Sequence, residues 1–159
     1  MASESITIEL PDEAATGRLA AAVATQARVG DVIALAGGLG AGKTSFARAF
    51  IRARAGDPAL DVPSPTFTLV QTYDLPGGPV WHFDLYRLKR ADEAWELGIE
   101  DAFAEAISLI EWPERLGDLL PAEHLEIALA AAADPMARQA RLTPSASWRD
   151  RIEGIDRHA

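Results

Sequence analysis

The sequence predicts an α/β fold in which helices pack on an open sheet and a buried parallel strand feeds a phosphate-binding loop. Three observations carry this. Gly37-Gly38-Leu39-Gly40-Ala41-Gly42-Lys43-Thr44 fits the pattern G-x-x-x-x-G-K-[ST] at every fixed position. Asp31-Val32-Ile33-Ala34-Leu35-Ala36, just before it, is a short apolar run of the kind a buried parallel strand shows, and Phe46, Ala49, Phe50 and Ala53 follow at helical spacing. Ile107-Ser108-Leu109-Ile110 is a second near-continuous apolar run, closed by Glu111. With 12 glycines, two lysines and 15 serines plus threonines in 159 residues, the loop pattern is expected by chance only about 0.001 times, so an ordinary glycine turn is a poor account of it.

Taken in order, Ser5 to Leu10 puts Ile6, Ile8 and Leu10 on one side and reads as a strand with one buried face. Pro11-Asp12-Glu13 opens a helix, with Pro near its first position, acids in its first turn, and an apolar stripe of Ala15, Leu19, Ala22 and Val23. Gly17 weakens that helix by about 1 kcal/mol relative to Ala, and Gly30 is its natural stop. After the phosphate-loop helix, Gly56-Asp57-Pro58 ends the element and Pro63-Ser64-Pro65 forms a stiff loop. Thr66 to Asp74 and Val80 to Leu88 read as two strands of a hairpin around Pro76-Gly77-Gly78-Pro79. In the second strand His82, Asp84 and Tyr86 share one face, while Trp81, Phe83 and Leu85 share the face directed to the core.

Ala91 to Leu97 reads as a short helix ended by Gly98, Ile99 to Ala106 as another, and Pro113 starts a third after the buried run at 107–110. Leu125, Ile127 and Leu129 alternate, Asp134-Pro135 marks a turn, and Arg138 to Thr143 returns, predicting a C-terminal hairpin. From Ser145 onward the chain is polar around an isolated Trp148, so residues 145–159 are expected as a loosely held tail of a single domain spanning 1–159.

Composition bounds the function. A chain of this length buries about 70% of its unfolded surface without staples. The absence of cysteine excludes disulfides, thiolate metal sites and a Cys nucleophile. No run approaches the roughly 20 apolar residues of a membrane span, and residues 1–10 lack a signal-peptide pattern, so a soluble cytoplasmic protein is expected. A formal charge of -9 opposes tight direct binding to tRNA or DNA, which needs a basic surface.

The loop's chemistry follows from residue type. Glycines let backbone N–H groups turn inward around phosphate oxygens, and the helix that follows aims its positive end there. Lys43 adds a point charge for the β and γ phosphates, and the Thr44 hydroxyl suits Mg²⁺, a hard cation that takes oxygen ligands. An acid that holds Mg²⁺ directly or through water, and often a residue that orients the attacking water, is expected in such a site. Glu111, at the carboxyl end of a buried strand, and Asp84 are the best placed, Asp84 for the metal or its water. A helix-start acid is the plainer account of Glu111, and a surface carboxylate paired with Arg87 the plainer account of Asp84. Thr66, after Pro65, is a candidate switch hydroxyl for the γ-phosphate, whereas His82 is expected to be structural. Trp112, beside Glu111, reads equally as a core residue or as a partner or nucleotide contact.

Several strings together resemble the TsaE (YjeE) family, small bacterial ATPases of threonylcarbamoyladenosine synthesis in tRNA. They are Leu10-Pro11-Asp12, Leu39 to Thr44, Ser64-Pro65-Thr66-Phe67-Thr68-Leu69-Val70, His82-Phe83-Asp84-Leu85-Tyr86-Arg87-Leu88 and Leu109-Ile110-Glu111-Trp112-Pro113-Glu114, in family order over about residues 6–121. The resemblance implies a P-loop NTPase fold with a mixed, mainly parallel central sheet flanked by helices. It also implies MgATP binding and weak hydrolysis that depends on a complex with TsaB and TsaD. By matched position, Leu39, Gly40, Ala41, Gly42, Lys43, Thr44 and Ser45 would hold ATP, with Asp12 near the nucleotide. Thr44, Glu111 and Asp84 would serve Mg²⁺. One departure is visible: the family often carries Asp where this chain has Gly38. The alternatives are a P-loop small-molecule kinase, for which only an arginine in the 87–90 region is placed to assist, and a nucleotide-gated interaction module without turnover.

Overall fold

A computed structural model describes residues 5–156. Among the described residues seven strands form one sheet: β1 Ile6–Leu10, β2 Val32–Ala36, β3 Val70–Tyr73, β4 Val80–Asp84, β5 Ile107–Glu111, β6 Leu125–Ala131 and β7 Arg138–Pro144. Their spatial order is β1-β7-β6-β2-β5-β4-β3. The central strands β6, β2, β5 and β4 run parallel, and β7, β1 and β3 pair antiparallel at the two sides, so the sheet is mixed and mainly parallel at its centre. Helices α1 Glu13–Gln26, α2 Lys43–Ala55, α3 Ile99–Glu105 and α4 Arg149–Asp156 flank it.

Alternation in the strands splits the interior in two. Ile33, Leu35, Ile107, Leu109 and Val80 join a cluster with Leu19 and Val23 of α1 and Phe46 and Phe50 of α2. Val32, Phe83, Leu85 and Ile110 point the other way and pack with Ile99 and Ala102 of α3. The predicted separation of Phe83 and Leu85 from His82 and Asp84 therefore holds, but both faces of β4 are covered, and His82 and Asp84 are buried as well. A strand flanked by two neighbours in a sheet covered on both sides has no solvent face.

Several boundaries differ from expectation. Pro11 precedes α1 rather than entering its first turn, and Asp12 is the cap, its carboxylate accepting the Ala15 N–H at 2.9 Å. Helix α1 ends at Gln26, with Gly30 in the following turn at φ 96°. In α2, Ala53 is exposed and the buried stripe passes through Ala47 and Ile51 instead. The strand expected from Thr66 begins only at Val70. Leu69 turns the chain in the left-handed region at φ 68°, with its N–H on the Pro65 carbonyl at 2.8 Å, so residues 66–69 form a turn. Likewise β4 stops at Asp84; the short helices expected at 91–97 and from Pro113 are present as 3₁₀ turns at 91–97 and 113–119, the latter kinked at Gly117.

The largest correction concerns the C-terminal segment. Residues 145–156 are packed, not loosely held: Trp148 is 1% exposed, and Ile152 and Ile155 lie beside it in the α1 cluster. Arg151 lies over the Trp148 ring at 3.8 Å and bonds both carboxylate oxygens of Asp31, at 2.7 and 3.1 Å. Residues 157–159 of that expectation fall outside the described residues. Among the described residues no helix is long and apolar enough to cross a membrane.

Candidate functional site

The loop from β2 to α2 leaves the carboxyl end of the central strand, where open α/β sheets place their ligands. Gly37, at φ 138°, passes so close to β6 that a Cβ would drive into the Leu129 carbonyl oxygen and stand 3.1 Å from the Ala41 Cβ. Gly40 and Gly42 also have positive φ, 76° and 107°, and Gly42 caps α2. The first N–H groups of α2 have no intrahelical acceptor and face the same space, with the positive end of the helix behind them.

Lys43 is buried. Its Nζ donates to the Gly37 carbonyl and, at 2.9 Å, to that of Gly38, and lies 3.8 Å from the centre of the Trp112 ring. Burial lowers its pKa, while the charges of Glu111, Glu114 and Asp84 act in the opposite direction. The Thr44 hydroxyl donates to Glu111 Oε1 at 2.9 Å, and Glu111 Oε2 lies 2.6 Å from His82 Nε2. Asp84 is the register partner of Glu111 across the parallel β4–β5 ladder, so both carboxylates project on the α2 side at the strand ends. Asp84 accepts the Tyr86 N–H at 3.1 Å. Its pKa is raised by burial, with Glu111 adding to the rise and the Tyr86 N–H and Lys43 opposing it.

These groups line a cavity of about 440 Å³ that brings together Leu39, Gly40, Ala41, Gly42, Lys43, Thr44, Ser45, Thr66, Asp84 and Glu111. Thr66 reaches it from the turn after Pro65, hydrogen-bonded to Ser64 at 2.8 Å. Asp12 does not line it. It caps α1 in an adjoining depression shared with Gly42, Ser45, Met136 and Arg138. Among the described residues no three His, Asp or Glu side chains gather closely enough to hold a metal alone. Thr44, Glu111 and Asp84 offer a hydroxyl and two carboxylates, hard oxygens of the kind a small divalent cation takes beside substrate phosphates.

Five further residues line the cavity: Ser64, Tyr86, Arg87, Trp112 and Arg138. Trp112 sits in the left-handed region, φ 60° and ψ 52°, a backbone turn that sets its ring over Lys43 and 4.9 Å from that of Tyr86. It is thus a wall of the site. Arg138 donates to the Gly40 carbonyl at 3.2 Å from across the sheet, 98 residues away in sequence, and no local spacing announces that. Arg87 stacks on the exposed Phe67 ring at 4.7 Å, outside the ion pair with Asp84 that the plainer reading of that acid entails.

Fold and site together define a phosphate-loop α/β protein of the P-loop NTPase fold. The family model described as "Threonylcarbamoyl adenosine biosynthesis protein TsaE" matches residues 10–140. A "tRNA threonylcarbamoyladenosine biosynthesis protein TsaE" from Rickettsia bellii is 41% identical over 120 residues, 76% of this chain and 83% of the relative. One from Bacillus subtilis is 38% identical over 125 residues, 78% and 75% of the two chains. A crystal structure of YdiB from Bacillus subtilis superposes with a TM-score of 0.82 at 28% identity, covering 99% of this chain and 98% of that one. The chain belongs to the TsaE family, whose role lies in threonylcarbamoyladenosine biosynthesis for tRNA. The likeness extends past residue 121, where the resemblance read from the sequence ends.

Proposed function

We propose that this chain is a MgATP-binding ATPase that supports threonylcarbamoyladenosine modification of tRNA through a complex with TsaB and TsaD. The observation that carries the nucleotide reading is the contact of Thr44 with Glu111 at 2.9 Å, at the head of the helix that the phosphate loop opens. A hydroxyl and a carboxylate from distant segments meet where a phosphate-bound cation would need oxygen ligands. Thr44 and Glu111 would hold Mg²⁺, with Asp84 beside them for the ion or its water; when bound, the ion supplies charge neutralisation at the β and γ oxygens. Lys43 would exchange its carbonyl partners for phosphate oxygens, and the N–H groups of the loop and of the start of α2 would accept the rest of that negative charge.

Partner dependence is supported by how little the chain alone offers an attacking water. Asp84 is committed in part to the Tyr86 N–H, and Thr66 to Ser64. Phosphoryl transfer depends on positioning and charge compensation that a second protein can complete. The test is calorimetry of ATP binding with and without Mg²⁺, followed by phosphate release from the chain alone and with TsaB and TsaD. Lys43→Ala should abolish nucleotide binding, and affinity within about threefold of wild type would overturn the assignment, since loss of a buried charged contact costs at least about tenfold. Phosphate release as fast from the chain alone as from the mixture would overturn the partner-gated reading and favour a freestanding ATPase or kinase. No release in either case would favour an interaction module.

A further inference from the structure

We infer that His82 is a positioning residue, which fixes the Glu111 carboxylate so that its Oε1 meets a divalent cation at Thr44. This rests on the proposed reading that Thr44 and Glu111 hold Mg²⁺. The observations are geometric. His82 lies in the middle of β4, fully buried, two residues before Asp84 and on the same face. Its Nε2 stands 2.6 Å from Glu111 Oε2, while Thr44 takes Oε1 at 2.9 Å. The two oxygens of one carboxylate are thus assigned to two different elements, α2 through Thr44 and β4 through His82. A carboxylate only accepts, so Nε2 is the nitrogen that carries the hydrogen.

A histidine placed to satisfy itself in a core would use both ring nitrogens. Among the described residues His82 Nδ1 has no hydrogen-bond partner, so its one polar contact is with Glu111. Its register partner on β5 is Leu109, and Val80 precedes it on the same face, surroundings in which an aliphatic side chain would be buried without leaving an unpartnered nitrogen. The imidazole is accounted for by what it does to Glu111. Removing it leaves Oε2 buried without a donor and frees the side chain to turn Oε1 away from Thr44. Groups that orient a metal-binding carboxylate in this way commonly change metal affinity 10–100-fold when removed.

The experiment uses the full chain and measures ADP affinity by calorimetry over a range of Mg²⁺ concentrations and in the absence of Mg²⁺. Wild type, Glu111→Gln and three variants of His82 are compared, with circular dichroism and thermal unfolding as the record of folding. His82→Leu keeps the volume and loses the donor, so its half-saturating Mg²⁺ should rise about 10–100-fold while Mg²⁺-free ADP binding stays as in wild type. His82→Gln, whose amide reaches about as far as Nε2, should restore the Mg²⁺ response to within a few-fold. His82→Asn, one methylene shorter, should behave as His82→Leu does. Should His82→Leu not fold, the contrast between Gln and Asn carries the same test. If Glu111→Gln loses the Mg²⁺ response but His82→Leu or His82→Asn keeps it, His82 only fills space and the inference is overturned alone. If wild type itself shows no Mg²⁺ response, the metal reading of Thr44 and Glu111 fails, and this inference with it.

Discussion

Two adjacent glycines open the phosphate loop, and adding one methyl group to each in turn should give opposite results. At Gly37 the new Cβ meets the Leu129 carbonyl oxygen, a backbone atom of β6 that cannot swing aside, and φ is 138°, a value side-chain-bearing residues rarely adopt. The strained backbone costs about 1–3 kcal/mol and the forced overlap about as much again. A total near 4 kcal/mol lowers Tm by about 8–16 °C in a chain of this size. Because the loop must also move away from β6, ATP affinity should fall at least about tenfold, equivalent to 1.4 kcal/mol. At Gly38 φ is not positive and no atom lies within 4 Å of the added carbon. Gly38→Ala should therefore raise stability by about 0.4–1 kcal/mol through the unfolded chain and leave ATP binding intact. Thermal unfolding and calorimetry with ATP read both outcomes. Unfolding and binding of Gly37→Ala as in wild type, or damage from Gly38→Ala as large as from Gly37→Ala, would refute this account of the two glycines.

Trp148→Ala should cost about 3–5 kcal/mol in chemical denaturation, since it removes a fully buried indole from beneath Arg151; a loss under about 1 kcal/mol would mean that the C-terminal segment is loosely held after all. Asp84→Asn should raise Tm at pH 7 while lowering Mg²⁺-dependent turnover about tenfold or more. The sign follows from burial: the folded pKa of Asp84 is raised, so its ionised form at neutral pH weighs against folding, and the advantage of Asn should shrink as pH falls through the raised value and vanish below about 3.8, where both states of the wild type are protonated. A stability difference that persists unchanged to that pH would sink the argument.

The parallel centre of the sheet was legible because strands buried on both faces run apolar or nearly so, as Val32 to Ala36 does throughout and Ile107 to Ile110 does apart from Ser108. The loop was legible because its glycines, lysine and threonine are contiguous. What escaped were contacts whose partners are distant in sequence. Arg138 touches Gly40 only because β7 is carried back along β6 toward the loop. His82 reads as structural until Glu111 arrives beside it on a neighbouring strand. The C-terminal segment is a different failure: Trp148, Ile152 and Ile155 follow the i, i+4, i+7 spacing of a helix stripe, but the charged residues between them mask it. One of those charges, Arg151, is itself buried against Asp31, so composition alone gives the wrong exposure.

In the proposed reading, charge gives the site a reason to take a cation as well as a lysine. Asp84 and Glu111 stand side by side at the strand ends, and Lys43 is the charged group that the loop itself contributes. Arg138 is occupied by the carbonyls of Pro135, Ala137 and Gly40, and Arg87 by the Phe67 ring. A polyphosphate entering here alone would face two carboxylates, and each unit pair at about 4 Å is worth about 4 kcal/mol at an effective dielectric of 20. One lysine does not offset two such repulsions. In the proposed reading a divalent ion at Thr44 and Glu111 would offset them, because carboxylates and phosphates would both be drawn to it. Burial opposes charge on both Asp84 and Lys43. In the proposed reading nucleotide and metal would bring opposite charge to these groups together, so each should bind more tightly in the presence of the other.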